Sequence, residues 1–413
     1  MSLHPEAPSL LQKIFTRRML TATLMGFASG LPLLLTKSLL QAWMRESGID
    51  ISVIGLTALV GVPYSVKFLW APVVDRFILS SLGRRRGWLL PIQLSLCLSI
   101  ALLGFADPGR FLWLTIVAAF CVTFFSASQD IVIDAYRRED LPDEELGLGS
   151  SMAINGYRVG MLIASAGGLA LSDHLPFWAV YALMAACMLP GILTTCLSPE
   201  PKNIPGTPRT LKEAVMDPLR EYFSRESAIL ILAFILLYKI GDTMASEMAT
   251  VFFLDTGFSK SEIAAVVKIF GFWATISGAL AGGVGMLRIG INKSLWIAGV
   301  LQALSTACFA LLAQAGPSLW GLSFVIAFEN FSSGMGTSAY AAFMASLTNK
   351  KFTATQYALL TSFMGIPRTI ASAPTGFMAK WAGWELFFVI CALAAIPGML
   401  LLFKCAPWKE KKT

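Results

Sequence analysis

Twelve stretches of mainly apolar residues, each about 20 long, run along this 413-residue chain. A helix needs about 20 such residues to cross the hydrocarbon core of a bilayer, and there it satisfies all its backbone groups internally. The stretches cover 19–44, 52–75, 88–105, 111–135, 148–172 and 177–197, then 228–251, 261–285, 294–314, 319–345, 352–378 and 384–403. They predict an all-α membrane protein of twelve transmembrane helices. Charged residues make up 14% of the chain, against about 25% in a soluble domain. That leaves too little polar surface to face water, which excludes a soluble enzyme. The polar first 18 residues, with Lys13, Arg17 and Arg18, precede an apolar run too long for a signal peptide, so they read as the flank of a first spanning helix.

The one long polar connection, 198–227, contains Pro199, Pro201, Pro205, Pro208 and Pro218. It divides the chain into an N-terminal six-helix bundle (1–197) and a C-terminal one (228–413) that ends in a short basic tail. Leu211, Val215 and Leu219 follow helical spacing and predict a surface helix within the loop. The halves are weakly related. Arg158 and Arg368 each follow a glycine by a few residues and precede an Ala-Ser-Ala stretch, in the fifth and eleventh segments, as a duplicated unit would place them. Of the 32 Lys and Arg, 22 fall on the side that holds both termini and only 4 on the other. The positive-inside rule therefore puts both termini in the cytoplasm and explains the net charge of +7 with no nucleic-acid partner.

Metal, cofactor and catalytic chemistry find no support. The seven cysteines stand singly, nearly all in apolar runs, and His4 and His174 are the only histidines, both outside those runs. No site residues are assigned to metal binding, a cofactor or catalysis.

Ionisable groups inside a membrane persist mainly where they pair or face a water-filled cavity. Residue counts put Lys67, Arg158, Lys239, Asp242 and Glu329 near mid-depth, with Lys37, Lys268, Asp130, Glu247 and Arg368 nearer one face. The mixed signs fit a cavity for a zwitterionic or anionic solute better than the ring of an ion channel. Asp130 and Asp134, four apart, share a helix face, and Arg158 lies at a depth that lets it pair with Asp130. Lys239 and Asp242, three apart, can pair on their own helix. Each pair either locks helices together or takes part in transport. Low dielectric disfavours a charged carboxylate, so such a group can exchange a proton near neutral pH. Asp130, Asp134, Asp242 and Glu329 are the candidates for proton coupling, with Asp130 favoured. For substrate contact the candidates are Arg158, Arg368, Lys67, Lys239 and Glu329, joined by the mid-helix polar residues Gln41, Gln129, Asn155, Tyr157, Tyr238 and Asn330.

The loop after the second segment reads Asp75-Arg76, then Gly83 and the cluster Arg84, Arg85 and Arg86. It resembles the loop signature of the major facilitator superfamily, with Phe77 to Leu82 inserted. The resemblance implies that Asp75, Arg76, Arg84, Arg85 and Arg86 act on the cytoplasmic gate; simple positive-inside anchoring is the other reading. Longer strings are more specific: "GFASGLPLLLT" (26–36), "LQAWM" (40–44), "VKFLWAPVVDR" (66–76), "GRRRGWLL" (83–90), "SASQDIVIDA" (126–135), "GYRVGML" (156–162), "LLYKIGD" (236–242) and "FENFSSGMGTSA" (328–339). They resemble the AmpG-type muropeptide permeases over nearly the whole chain. That resemblance implies the major facilitator fold in a Gram-negative inner membrane; a monomer is expected. It also implies proton-driven import of N-acetylglucosaminyl-anhydro-N-acetylmuramyl peptides for peptidoglycan recycling, with a link to β-lactamase induction. Some members carry two further C-terminal helices where this sequence has its basic tail, which leaves the substrate preference open. A related group of acetyl-CoA transporters shares part of the pattern, so another anionic solute is the alternative cargo. A non-transporting receptor or membrane-embedded enzyme is the alternative from another class.

Overall fold

The computed structural model of the protein describes residues 9–201, 210–371 and 374–408. Among these there is no β-strand, and all the elements are helices joined by turns and loops. The spanning helices are α1 (Arg17–Glu46), α2 (51–76), α3 (Arg86–Phe105), α4 (Leu112–Asp140), α5 (146–172) and α6 (Phe177–Leu197). After the loop come α7 (Ala228–Thr256), α8 (263–289), α9 (291–315), α10 (Leu319–Ser346), α11 (described as two pieces, 353–370 and 375–382) and α12 (384–405). Two long helical runs are divided by glycine. Gly290 separates α8 from α9 at a φ of +83°, and Gly383 separates α11 from α12 at +73°. No L side chain adopts such a φ without strain, so each glycine lets the chain reverse in a single residue. The twelve helices form two six-helix bundles, as the sequence predicts. The central loop carries a surface helix, Leu211–Phe223, started by the Thr210 hydroxyl on the Glu213 N–H.

Several helices are interrupted where the sequence removes a donor or a side chain. α2 is built of short pieces around Gly61, Pro63 and Pro72. α1 passes through a π-helical turn, Leu35–Leu39, soon after Pro32. α7 breaks at Lys239, whose φ and ψ are −107° and 12°. α1 and α5 touch backbone to backbone. A Cβ on Gly26 would lie 2.1 Å from the Ala153 carbonyl oxygen, and one on Gly156 would lie 1.9 Å from that of Thr23. Any larger residue would force these helices apart.

The outward faces are apolar. On α3, Leu94, Leu98 and Leu102 are exposed at four-residue spacing, whereas Leu96, Ile100 and Leu103 are buried against the bundle. This stripe has no use in water and matches lipid. The loops holding most of the basic residues gather at one end of the bundles, here termed the basic face.

Candidate functional site: a charged axis between the bundles

Two groups of charged residues lie between the bundles, one at the basic face and one near mid-membrane. The first centres on Asp75, 1% exposed at the end of α2. Its Oδ1 accepts from Arg84 at 3.1 Å, from Arg85 at 2.8 Å and from the Ala354 N–H at 3.3 Å. Its Oδ2 accepts from the Thr355 N–H at 2.8 Å and the Thr355 hydroxyl at 2.7 Å. Ala354 and Thr355 belong to the first turn of α11 in the other bundle, where free N–H groups and the helix dipole favour an anion. Asp75 is thus an N-terminal cap that one bundle supplies to the other. Arg84 adds a second bridge by donating to the Lys351 carbonyl.

Glu139 at the end of α4 grips Arg85 through both oxygens, at 2.6 and 3.0 Å. Glu200 caps α3 by accepting from the Arg85 and Arg86 N–H groups. Burial works against the charge of Arg85, but Glu139 and Asp75 hold its guanidinium above the ordinary value. Arg84, buried beside the like charge of Arg85, lies below it. Nearby, Arg137 of α4 bonds Asp134 and the Tyr357 hydroxyl of α11, each at 3.0 Å. Ser151 of α5 donates to the Ala279 carbonyl of α8 at 2.5 Å. The basic face is therefore shut by a chain of polar contacts between bundles.

Two residues expected in this gate are placed elsewhere. Arg76 lies over the Phe77 ring, 5.1 Å from its centroid, outside the Asp75 network. Arg86 donates to the carbonyls of Thr195 and Cys196 at the end of α6, which fastens helices within one bundle. In their place the network uses Glu139, Glu200 and Thr355, which the sequence reading did not single out. Glu139 and Glu200 look like ordinary loop acids, and only the approach of α11 gives Thr355 a role.

Nearer mid-membrane, the N-terminal bundle holds Asp130, which accepts a hydrogen bond from the Ser29 hydroxyl. Lys67, 6% exposed, is among the charges that act on Asp130. Arg158 of α5 is among the charges that act on Asp242 of α7, across the bundle interface. Asp134 is taken by Arg137.

The C-terminal bundle contributes a compact cluster. Lys239 Nζ lies 3.2 Å from Asp242 Oδ2 and donates to the Thr337 hydroxyl at 2.9 Å. Asp242 also meets Glu329 of α10 side chain to side chain. Glu329 Oε2 accepts from the Ser305 hydroxyl of α9 at 2.5 Å. Asp242 Oδ1 and Glu329 Oε1 are buried with no protein donor.

Among the neutral candidates, Gln41 lines a cavity of about 200 Å³ between α1 and α2, with Thr36, Lys37, Thr57 and Tyr64. Asn155 and Tyr157 lie half-buried on α5 beside Arg158, and the Asn155 Oδ1 has no protein donor. Three others are drawn into packing. The Tyr238 hydroxyl donates to the Leu295 carbonyl, and its ring stacks on Tyr340 at 5.4 Å. Gln129 is fully buried and donates to the Ala28 carbonyl. Asn330 is held by Thr275 and the Ile326 carbonyl. The Arg368 side chain lies outside the described residues.

Known proteins share this sequence and shape. The family model described as the Major Facilitator Superfamily matches residues 19–372. The chain is 44% identical to the anhydromuropeptide permease of Escherichia coli K12 over 384 residues, covering 92% of this chain and 78% of that protein. It is 42% identical to an uncharacterized protein of Haemophilus influenzae, covering 98% of each. A putative transporter AmpG 4 of Rickettsia felis is 34% identical, with 95% and 98% covered. Among solved structures, the transporter FucP in its outward conformation superposes with a TM-score of 0.71 at 14% identity, over 97% of this chain and all of that one. The proton:xylose symporter XylE gives 0.70 at 11% identity, over 94% and 95%. With the fold, the gate loop and the relatives agreeing, the chain belongs to the major facilitator superfamily, among its AmpG-type permeases.

Proposed function

We propose that this protein imports anhydro-muropeptides across the inner membrane of a Gram-negative bacterium, driven by protons, in the service of peptidoglycan recycling. The observation that carries the reading is the charged axis between the bundles. Arg158 from one bundle acts on the carboxylate cluster of the other, and Asn155 and Tyr157 flank it on the same helix. A muropeptide offers carboxylates from its peptide stem and hydroxyl and amide groups from its sugars. Arg158, with Arg368 placed alike in the other half, suits the carboxylates. Lys67 and Lys239 set the positive field, while Gln41 and its cavity suit a sugar. The name of the 44% identical relative supports the same substrate class.

The charge bias of the loops makes the basic face cytoplasmic, with both termini on that side and the halves dividing at 198–227. The arrangement described above is then closed toward the cytoplasm. Opening requires Asp75 to leave the first turn of α11. Asp130, Asp134, Asp242 and Glu329 are the carboxylates available for proton coupling. Muropeptide entering by this route would supply the signal that induces β-lactamase. The protein carries cargo and converts none, acts as a monomer, and needs only substrate, protons and lipid.

Binding separates this from the acetyl-CoA reading. In detergent, an anhydro-muropeptide should raise the melting temperature in a saturable way, and acetyl-CoA should leave it unchanged. Stabilisation by acetyl-CoA alone would overturn the substrate assignment.

A further inference from the structure

We propose that Asp242 of α7 and Glu329 of α10 form one proton-binding site, a carboxyl pair holding a single shared proton in the state closed at the basic face. Three observations carry it. The two side chains meet, yet Asp242 Oδ1 and Glu329 Oε1 have no donor from the protein. Glu329 is 7% exposed, so bulk water does not supply the missing donor. The other oxygen of each has donors: Glu329 Oε2 takes the Ser305 hydroxyl, and Asp242 Oδ2 takes Lys239 and, at 3.5 Å, the Ser333 hydroxyl. Two ionised carboxylates are acceptors only and repel at contact. One proton between them turns the same approach into a hydrogen bond. Paired carboxyl groups elsewhere share a proton for this reason.

The surrounding charges make the site a coupling device. Lys239 faces it from α7 and Arg158 from α5; Tyr238 of α7 and Cys308 of α9 are the other titratable neighbours. With one proton bound, Lys239 balances the pair and the cluster is neutral. When the proton leaves, the cluster becomes negative and pulls harder on Arg158, the one of these cations that belongs to the opposite bundle. An ionised pair therefore competes with a substrate carboxylate for Arg158, and a protonated pair does not. Proton and substrate then favour each other's binding, which symport requires. The proton enters from the face opposite the basic one and leaves when the basic face opens, with no other reactant needed.

The proposal rests on the importer reading only for the direction of transport, and the test separates the two. Infrared spectroscopy of the reconstituted protein during a pH titration should show a protonated-carboxyl C=O band that Glu329→Gln abolishes and Asp130→Asn leaves in place. Asp242→Asn, which removes the acceptor, should shift or abolish the same band and serves if the Glu329 variant fails to fold. Glu329→Gln keeps a donor toward Asp242 and mimics the protonated pair. It should still exchange anhydro-muropeptide across vesicles but lose accumulation against a gradient. A band that survives both Glu329→Gln and Asp242→Asn, or disappears in Asp130→Asn, overturns the proposal. So does full gradient-driven accumulation by Glu329→Gln. If the band behaves as stated but the wild type takes up no anhydro-muropeptide, the proton site stands and the substrate assignment falls.

Discussion

Asp75 and Glu329 are both acids buried in an apolar protein, and their surroundings are opposite. Asp75 has five donors from two guanidinium groups and the first turn of α11, divided over both oxygens. Glu329 has one hydroxyl on one oxygen, while the other has no protein donor. A buried carboxylate that lacks donors costs several kcal/mol, so an environment this poor is kept where the group gains and loses a proton. An environment as rich as that of Asp75 is kept where two parts must be clamped. On the roles proposed above, the difference separates a latch from a sensor within one molecule. The latch is polar and saturated and crosses the bundle interface directly; the sensor is unsaturated and acts across the interface through Arg158.

The largest effect should come from breaking the saturated side of this comparison. Asp75→Ala leaves Arg84, Arg85 and the first turn of α11 without their acceptor. Breaking one buried pair of this kind costs about 3–5 kcal/mol. Spin labels in the α2–α3 and α10–α11 loops should show the basic face moving from mostly closed to mostly open, with substrate affinity within a few-fold of wild type. A large loss of affinity with an unchanged distance distribution would remove Asp75 from the gate.

Arg158→Lys probes the link between bundles. The charge remains, but the planar fork that grips a carboxylate is lost. Affinity for anhydro-muropeptide should fall about tenfold, ~1.4 kcal/mol, at unchanged membrane expression, as titration calorimetry would measure. Wild-type affinity would mean that Arg158 serves the interface alone.

Arg85→Lys keeps the latch charged and gives up the two-point grip on Glu139. Its cost should be about 1–3 kcal/mol, read as a lower melting temperature and faster opening of the basic face. The smallest effect belongs to Tyr238→Phe. It removes one hydrogen bond, to the Leu295 carbonyl, and leaves the ring stacked on Tyr340. Stability should drop by about 1 kcal/mol, with KM and maximal rate unchanged. A raised KM would return Tyr238 to the substrate site.

How far the sequence could be read depended on the kind of interaction. Helix number and length follow from apolar runs, so the twelve helices were legible; the glycines at which the chain reverses, Gly290 and Gly383, were not singled out. The gate was half legible. Charges clustered beside Asp75 announce themselves, but Glu139 and Thr355 join only because α4 and α11 converge on one point. Arg76 and Arg86 had the right composition and the wrong direction. Inside the membrane, counting gave depth without rotation. It put Asp130 and Arg158 at one depth, and the fold adds Ser29 as a donor to Asp130 and sets Lys67 within electrostatic reach of Asp130 and Arg158 within that of Asp242. The meeting of Asp242 with Glu329 joins helices more than 80 residues apart, and no periodicity in either helix announces it.

The central claim is that a proton gradient drives anhydro-muropeptide inward through this protein. Uptake of labelled anhydro-muropeptide should be followed in vesicles containing only the purified wild type, with the outside acidified. The account predicts accumulation well above the external concentration, collapsing to equilibration when a protonophore is added. Identical uptake with and without the gradient, or a final internal level that never exceeds the external one, would contradict it.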